Sequence, residues 1–263
     1  MSQALYLVGH GSRDRQGVAE FLGFVERVKA AAGDRMVEHG FIELAEPDVL
    51  TGLDACVARG ADQILVLPIM LLAANHAKVE IPSIIAEARE RHPGVTFTYG
   101  RPLGVDPLMV AALHDRFTEV EAAHGPFDRG ETAFVLVGRG CSDADANSDV
   151  AKLARMVAER ELLQLVDVCY TAVTFPNLHT VVRRFARLGV RRVVVQPYLL
   201  FTGVLVKLIE RWVAELKAEF PEIAIHQGRY LGDHPNVPQL ALIREAEALE
   251  GAAIAAPSGG VRR

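Results

Sequence analysis

Short aliphatic runs alternate with stretches in which apolar residues recur every three or four positions. In the first half the runs fall at 5–8, 37–44, 64–70 and 96–99, each bounded by Gly or Pro nearby. Continuous apolar runs of this length are the pattern of parallel strands buried on both faces. Between them, Val18, Phe21, Leu22, Val25 and Val28 mark one face of a helix. Leu50, Leu53 and Val57 mark a second, after Pro47, a residue suited to a helix's first turn. Ile81, Ile84, Ile85 and Ala88 form a third stripe, and residues 108–120 a fourth. The order repeats with strands at 134–137, 166–172, 193–198 and 223–226. Alternating strands and helices at these spacings predict an α/β chain with parallel sheets and right-handed crossovers.

The halves also match residue by residue. Val8-Gly9-His10-Gly11-Ser12-Arg13-Asp14 returns as Val137-Gly138-Arg139-Gly140-Cys141-Ser142-Asp143, offset by 129. The segment 60–68 returns at 189–197 with the same offset, and 100–104 returns at 228–232, offset by 128. The expected architecture is therefore two tandem domains related by internal duplication, each a four-stranded parallel sheet flanked by helices. Their expected spans are 1–125 and 126–250, joined near 125–130, with 251–263 as a flexible tail rich in Ala, Gly, Pro and Ser.

Composition narrows the function. The chain has 263 residues, 50% of them hydrophobic and 23% charged, which suffices for ordinary cores. A net charge of -5 gives no reason to expect nucleic acid or an anionic membrane as partner. No apolar run approaches the length of a membrane span, and no basic leader precedes the first strand. The three cysteines form no CxxC pair; Cys56 and Cys169 sit in apolar stretches as core residues, which fits a reducing, cytoplasmic setting.

Ligands of open α/β sheets bind beyond the carboxyl ends of strands. His10 follows the first predicted strand, Glu43 and Glu46 close the second, and His76 follows the third. Two imidazoles and a carboxylate converging there can hold a divalent metal, and an imidazole can move protons. In the second half these positions are Arg139, Ala172, Phe175 and Leu205, while Pro47, Pro68 and Lys78 are kept as Pro176, Pro197 and Lys207. The scaffold is retained and one candidate site is lost. His39, His92, His114, His124, His179, His226 and His234 share no strand-end position and read as surface or loop residues. A phosphate-binding GxGxxG fails after Gly11, no P-loop exists, and no GxSxG elbow surrounds Ser12, which reads as a cap of the following helix.

Gly9-His10-Gly11-Ser12-Arg13, the segment 41–47 and the stretch from Leu67-Pro68 to His76 resemble the CbiX/SirB group of class II tetrapyrrole chelatases, in the long form with two fused halves. The resemblance covers about residues 1–245. It implies a sirohydrochlorin chelatase, with His10, Glu43 and His76 as metal contacts and His10 as the proton acceptor. It implies that Glu46, Leu71, Leu72, Ala73, Ala74, Asn75 and His76 line the macrocycle pocket. It implies no cofactor beyond the substrate metal, with Co2+ favoured, in cobalamin synthesis, and Fe2+, in siroheme synthesis, as the alternative.

The substrate's carboxylates need cations, and Arg13, Lys78, Arg101, Arg139 and Lys207 are candidates; Arg139 offers a bidentate fork where the first half has a histidine. Two readings compete with this one. A metal or tetrapyrrole binding protein would bind without turnover, and a hydrolase would use Ser12 with His10. Because the duplication can stand in for a dimer, a monomer is expected.

Overall fold

The computed structural model describes residues 2–255. The first repeat runs β1 (Gln3–Gly9), α1 (Arg15–Ala32), β2 (Met36–Phe41), α2 (Val49–Ala58), β3 (Gln63–Pro68), a π-helical turn (His76–Glu80), α3 (Ile81–Arg91), β4 (Thr96–Tyr99) and α4 (Pro107–His124). The second runs β5 (Thr132–Gly138), α5 (Ala144–Glu161), β6 (Leu165–Tyr170), α6 (Leu178–Arg187), β7 (Arg192–Pro197), α7 (Val204–Glu219), β8 (Ala224–Gln227) and α8 (Asn236–Ala255). Each repeat supplies one fully parallel four-stranded sheet, in the orders β2-β1-β3-β4 and β6-β5-β7-β8. The fold is the expected one: tandem α/β sheets flanked by helices, built twice.

Burial explains the strand composition. The central strands β1 and β5 are buried along almost their whole length. The edge strands admit polar residues, Glu38 and His39 in β2 and Asp167 in β6. Ala4, Tyr6 and Val8 of β1 join Val49, Leu53 and Cys56 of α2 and Ile81, Ile85 and Ala88 of α3 in one core. On the other face Phe21 of α1 packs 5.0 Å from Phe41. Ala133, Val135 and Val137 of β5 centre the matching core with Cys169, α6 and α7. Both core cysteines are fully buried and unpaired. Each large aliphatic side chain buried this way contributes about 1.5–3 kcal/mol.

The chain falls into two compact units, one of residues 1–13, 21–104 and 238–263, the other of 14–20 and 105–237. The repeats 1–125 and 126–250 and these units are different divisions of the same chain, because α4 counts with the second repeat's strands and α8 with the first's. A buried arginine marks each placement. Arg244 of α8 donates from Nε and Nη2 to the Leu103 carbonyl, just past β4. Arg116 of α4 donates from Nε to the Tyr230 carbonyl, just past β8. Both are at most 2% exposed.

Several local expectations are corrected. β2 ends at Phe41 rather than at 44, because Leu44 takes φ 64° and the chain turns away. For the same reason β6 ends at Tyr170, with Val173 at φ 66°. Pro47 lies before α2 rather than in its first turn; Asp48 is the cap, its side chain accepting from Thr51 N. Asp14, not Ser12, caps α1, accepting from Gln16 N at 3.0 Å. On α1, Phe24 is wholly buried while Leu22 faces outward. His39 and His226 lie in strands β2 and β8 rather than in loops or on the surface, whereas His234 is in the loop before α8, buried against Asp115. The expected flexible tail is helical as far as Ala255, and 256–263 lie outside the described residues.

Candidate functional site

In the first sheet the chain leaves β1 for β2 on one side and returns to β3 on the other, so the strand order reverses at β1. The carboxyl ends of β1 and β3 flank a switch point, where open α/β sheets form their crevice. His10 is the first residue past β1, and His76 opens the π turn that follows β3. The topology brings these two residues, 66 positions apart in the sequence, into contact: the rings lie 4.7 Å apart, nearly perpendicular at 84°.

The backbone leaves His10 little freedom. Ile42 N donates to Gly9 O and Glu43 N to His10 O, extending the β1–β2 register past the last strand residue. Gly11 takes φ 91° directly beneath this bridge, where a Cβ would come 1.7 Å from the Glu43 carbonyl oxygen. Only glycine fits there. Loop 69–75 is tied down by Leu103 N to Met70 O and Gly104 N to Leu71 O.

Each imidazole has a carboxylate neighbour. His10 Nδ1 lies 3.7 Å from Glu43 Oε1 and 3.3 Å from the Gly11 carbonyl. His76 Nδ1 lies 2.7 Å from Glu80 Oε2. A carbonyl oxygen only accepts, so a ring that bonds one through Nδ1 carries its proton there and keeps Nε2 as the basic nitrogen; a carboxylate that accepts at Nδ1 has the same effect. Both histidines are about 30% exposed and both glutamates more so. Such rings can ligate a metal or take up a proton in an accessible crevice. Among the described residues no group of three or more His, Cys, Asp or Glu side chains is arranged to hold a metal ion.

Of the other site residues expected from sequence, Leu71, Leu72, Ala73 and Ala74 form the half-buried loop before His76, and Asn75 is exposed. Glu46 is exposed and joined to Pro47 by a cis peptide. Arg13 and Arg139 are exposed at the ends of β1 and β5. Arg101 grips Glu247 through two bonds of 2.8 Å, and Lys207 reaches Asp14 at 2.6 Å, so these two cations are engaged within the protein. That contact holds the Asp14 carboxyl below its usual range. Glu80 was not foreseen; its signal was the His-x-x-x-Glu spacing from His76 to Glu80.

The second repeat keeps this backbone without its chemistry. Ala172 N donates to Arg139 O as Glu43 N does to His10 O. Gly140 takes φ 84°, a Cβ there meeting Ala172 O at 2.2 Å. Phe175, in the place of Glu46, is 86% exposed.

Paired imidazoles with carboxylate neighbours thus stand at the switch point of one of two copies of an α/β unit, an arrangement able to take up a metal ion or a proton. A profile of the CbiX family matches residues 4–120 and again 133–248. The chain is 40% identical to a sirohydrochlorin cobaltochelatase of Priestia megaterium, over 95% of this chain and 81% of that one. It is 37% identical to a sirohydrochlorin ferrochelatase of Bacillus subtilis, over 94% and 92%. A second Priestia megaterium relative, a sirohydrochlorin ferrochelatase, is 35% identical over 91% and 88%. Among solved structures, SirB from Bacillus subtilis with Fe3+ superposes with a TM-score of 0.83 at 37% identity, covering 96% of this chain and 98% of that one. SirB from Bacillus subtilis subspecies spizizenii in complex with cobalt gives 0.82 at 36%, covering 97% and 98%. The chain belongs to the CbiX family and is a metal chelatase of the class II tetrapyrrole fold. Among the described residues no helix is long and apolar enough to cross a membrane.

Proposed function

We propose that this chain inserts Fe2+ into sirohydrochlorin, with Co2+ insertion as the second reading. The observation that carries the proposal is the contact between His10 and His76 at the switch point of the first sheet, each with a carboxylate beside Nδ1. Insertion replaces two pyrrole N–H protons by one divalent cation and releases both protons. Residues must hold the incoming metal, seat the ring and accept protons. His76 and Glu43 serve as metal contacts, and His10 as metal contact and proton acceptor. Neutral imidazole suits both tasks near pH 7. Glu46, Leu71, Leu72, Ala73, Ala74 and Asn75 seat the macrocycle, and Arg13 receives its carboxylates.

Fe2+ and Co2+ both accept imidazole and carboxylate donors, so ligand type does not choose between them. Sequence alone favoured cobalt. The preference moves to iron because this chain spans more of both ferrochelatases than of the cobaltochelatase. The higher identity to the cobaltochelatase supports the second reading.

The test is anaerobic steady-state metallation followed by the absorbance of sirohydrochlorin, with each metal varied in turn. Multiple turnovers with a higher kcat/KM for Fe2+ are expected. Faster turnover with Co2+ would reverse the metal choice, and stoichiometric binding without turnover would refute catalysis.

A further inference from the structure

The one-residue slip between the repeats falls inside the segment that carries His76. As far as Lys78 the halves correspond at an offset of 129. Lys78 N donates to Ala74 O as Lys207 N donates to Gly203 O, and Ala77 and Val206 are both buried. From Ile81 onward the offset is 128. Ile81, Ile85 and Ala88 are buried as Ile209, Val213 and Leu216 are. The helices then end alike, His92 N donating to Ala88 O and Phe220 N to Leu216 O. Val79 and Glu80 together therefore stand opposite the single residue Leu208.

The extra residue is absorbed as the π turn. Ile81 N reaches back five residues to His76 O, whereas the second repeat continues as an ordinary α-helix from Val204. Such single-turn bulges in helices concentrate at functional sites. This one places Glu80 Oε2 2.7 Å from His76 Nδ1. The repeat that has Leu205 in place of His76 lacks the insertion, the turn and the acid. Lys78, between them, is kept as Lys207. The acid and the inserted residue thus accompany the imidazole, not the helix.

We infer that Glu80 is a positioning residue of the chelatase: by accepting the Nδ1 proton of His76 it fixes the tautomer and ring orientation that present Nε2 to the incoming metal. This rests on the metal role given to His76 above. A carboxylate holding the far nitrogen of a metal-binding imidazole raises its basicity, and losing such a partner costs about 10–100-fold in metal affinity or activity. A helical i,i+4 pair with a purely structural role would add only marginally to stability and leave the tautomer indifferent.

The experiment uses the full-length protein labelled with 15N, as wild type, Glu80→Ala, Glu80→Gln and Glu87→Ala. Glu87 pairs with Arg91 at the same spacing on α3 and serves as the structural control. Ring-nitrogen shifts of His76 report its tautomer without metal, and the visible absorption of Co2+ alone reports metal affinity. The expected result is Nδ1–H in wild type and in Glu80→Gln, whose side-chain oxygen still accepts. Glu80→Ala should show a mixed tautomer and weaken Co2+ binding about 10–100-fold, with Glu87→Ala like wild type. A Glu80→Ala protein that keeps the Nδ1–H tautomer, or that binds Co2+ as wild type does, overturns the inference. Wild-type protein unable to metallate sirohydrochlorin would overturn the chelatase reading instead, while the tautomer and Co2+ measurements still decide the role of Glu80.

Discussion

Gly11 and Gly140 hold the same turn in the two repeats, one beneath a histidine and one beneath an arginine, so the pair separates scaffold from chemistry. At Gly11, φ is 91° and an alanine Cβ would come 1.7 Å from Glu43 O and 2.9 Å from its carbonyl carbon. At Gly140, φ is 84° and the clash is 2.2 Å with Ala172 O and 3.0 Å with Tyr170 Cβ. A left-handed conformation costs an L-residue roughly 1–2 kcal/mol. Relieving an overpacked contact by moving backbone costs about 1–3 kcal/mol more. Each substitution should therefore destabilise by about 2–5 kcal/mol, a fall in Tm of roughly 4–20 °C at the usual scaling for chains of this size.

The catalytic outcomes diverge. In Gly11→Ala the displaced neighbours are the His10 and Glu43 backbones, so kcat should fall at least about tenfold, the scale of a misplaced reacting group. Gly140→Ala should keep its kcat, because the residues it moves carry no proton or metal. Thermal melts give the first quantity, and metallation rates taken well below both melting points give the second. A Gly11→Ala protein with wild-type kcat would refute the placement of His10. Equal loss of kcat in Gly140→Ala would refute a site confined to the first repeat.

His10→Ala and His76→Ala should each lower kcat by about 100-fold or more, the range of a lost general base or ligand, with Tm little changed; full activity in either removes that residue from the site. Arg244→Leu leaves the Leu103 and Pro102 carbonyls without their buried donor, which should cost roughly 2–6 kcal/mol at about 1–3 per orphaned group; a urea midpoint like that of wild type would contradict it. His226 stacks on His124 with ring centroids 3.9 Å apart. Burial first, then the neighbouring His124 and Arg192, push its pKa from 6.5 down to about 4. A histidine held neutral in the fold binds its proton more readily when unfolded. Its contribution is thus whole above about pH 6.5, the unfolded value, and is lost as pH falls toward the folded value. His226→Phe should lose less Tm than wild type between pH 7 and pH 5, and equal losses would rule this cause out.

The sequence made the sheets, the duplication and the strand-end histidines legible, because each is written in local pattern or direct repetition. What it hid was set by backbone conformation and by tertiary choice. Residues 42–44 read as strand because Ile42 and Leu44 are apolar, yet Leu44 at φ 64° ends the pairing at Phe41. Ser12 resembled a cap, but Asp14 is the residue placed to accept from Gln16 N. His39 and His226 were misread because nothing in the local pattern shows that these polar residues are held inside the edge strands β2 and β8. The allotment of α4 and α8 between the compact units could not be read either, since an amphipathic face does not name the sheet it covers. Glu80 was the closest miss. Its insertion was visible as the change of offset from 129 to 128, but a change of offset becomes a site only when the π turn shows where the extra residue went.

The second repeat also settles what the strained backbone is for. Leu44 and Val173 take φ 64° and 66°, and Gly11 and Gly140 take 91° and 84°, in copies that differ in every ionisable site residue. A conformation kept where the chemistry is gone belongs to the scaffold, not to catalysis. The turn exists because β1 and β2 end together, and the bridge from Glu43 N to His10 O, like that from Ala172 N to Arg139 O, closes the corner. His10 thus occupies a position the fold supplies in both halves. His76 does not: its π turn and its carboxylate are found in the first repeat and not in the second. The two imidazoles are therefore unequal in origin, one set by the shared corner and one by a local insertion. Grafting His10 alone onto the second repeat, as Arg139→His, should accordingly give no second centre.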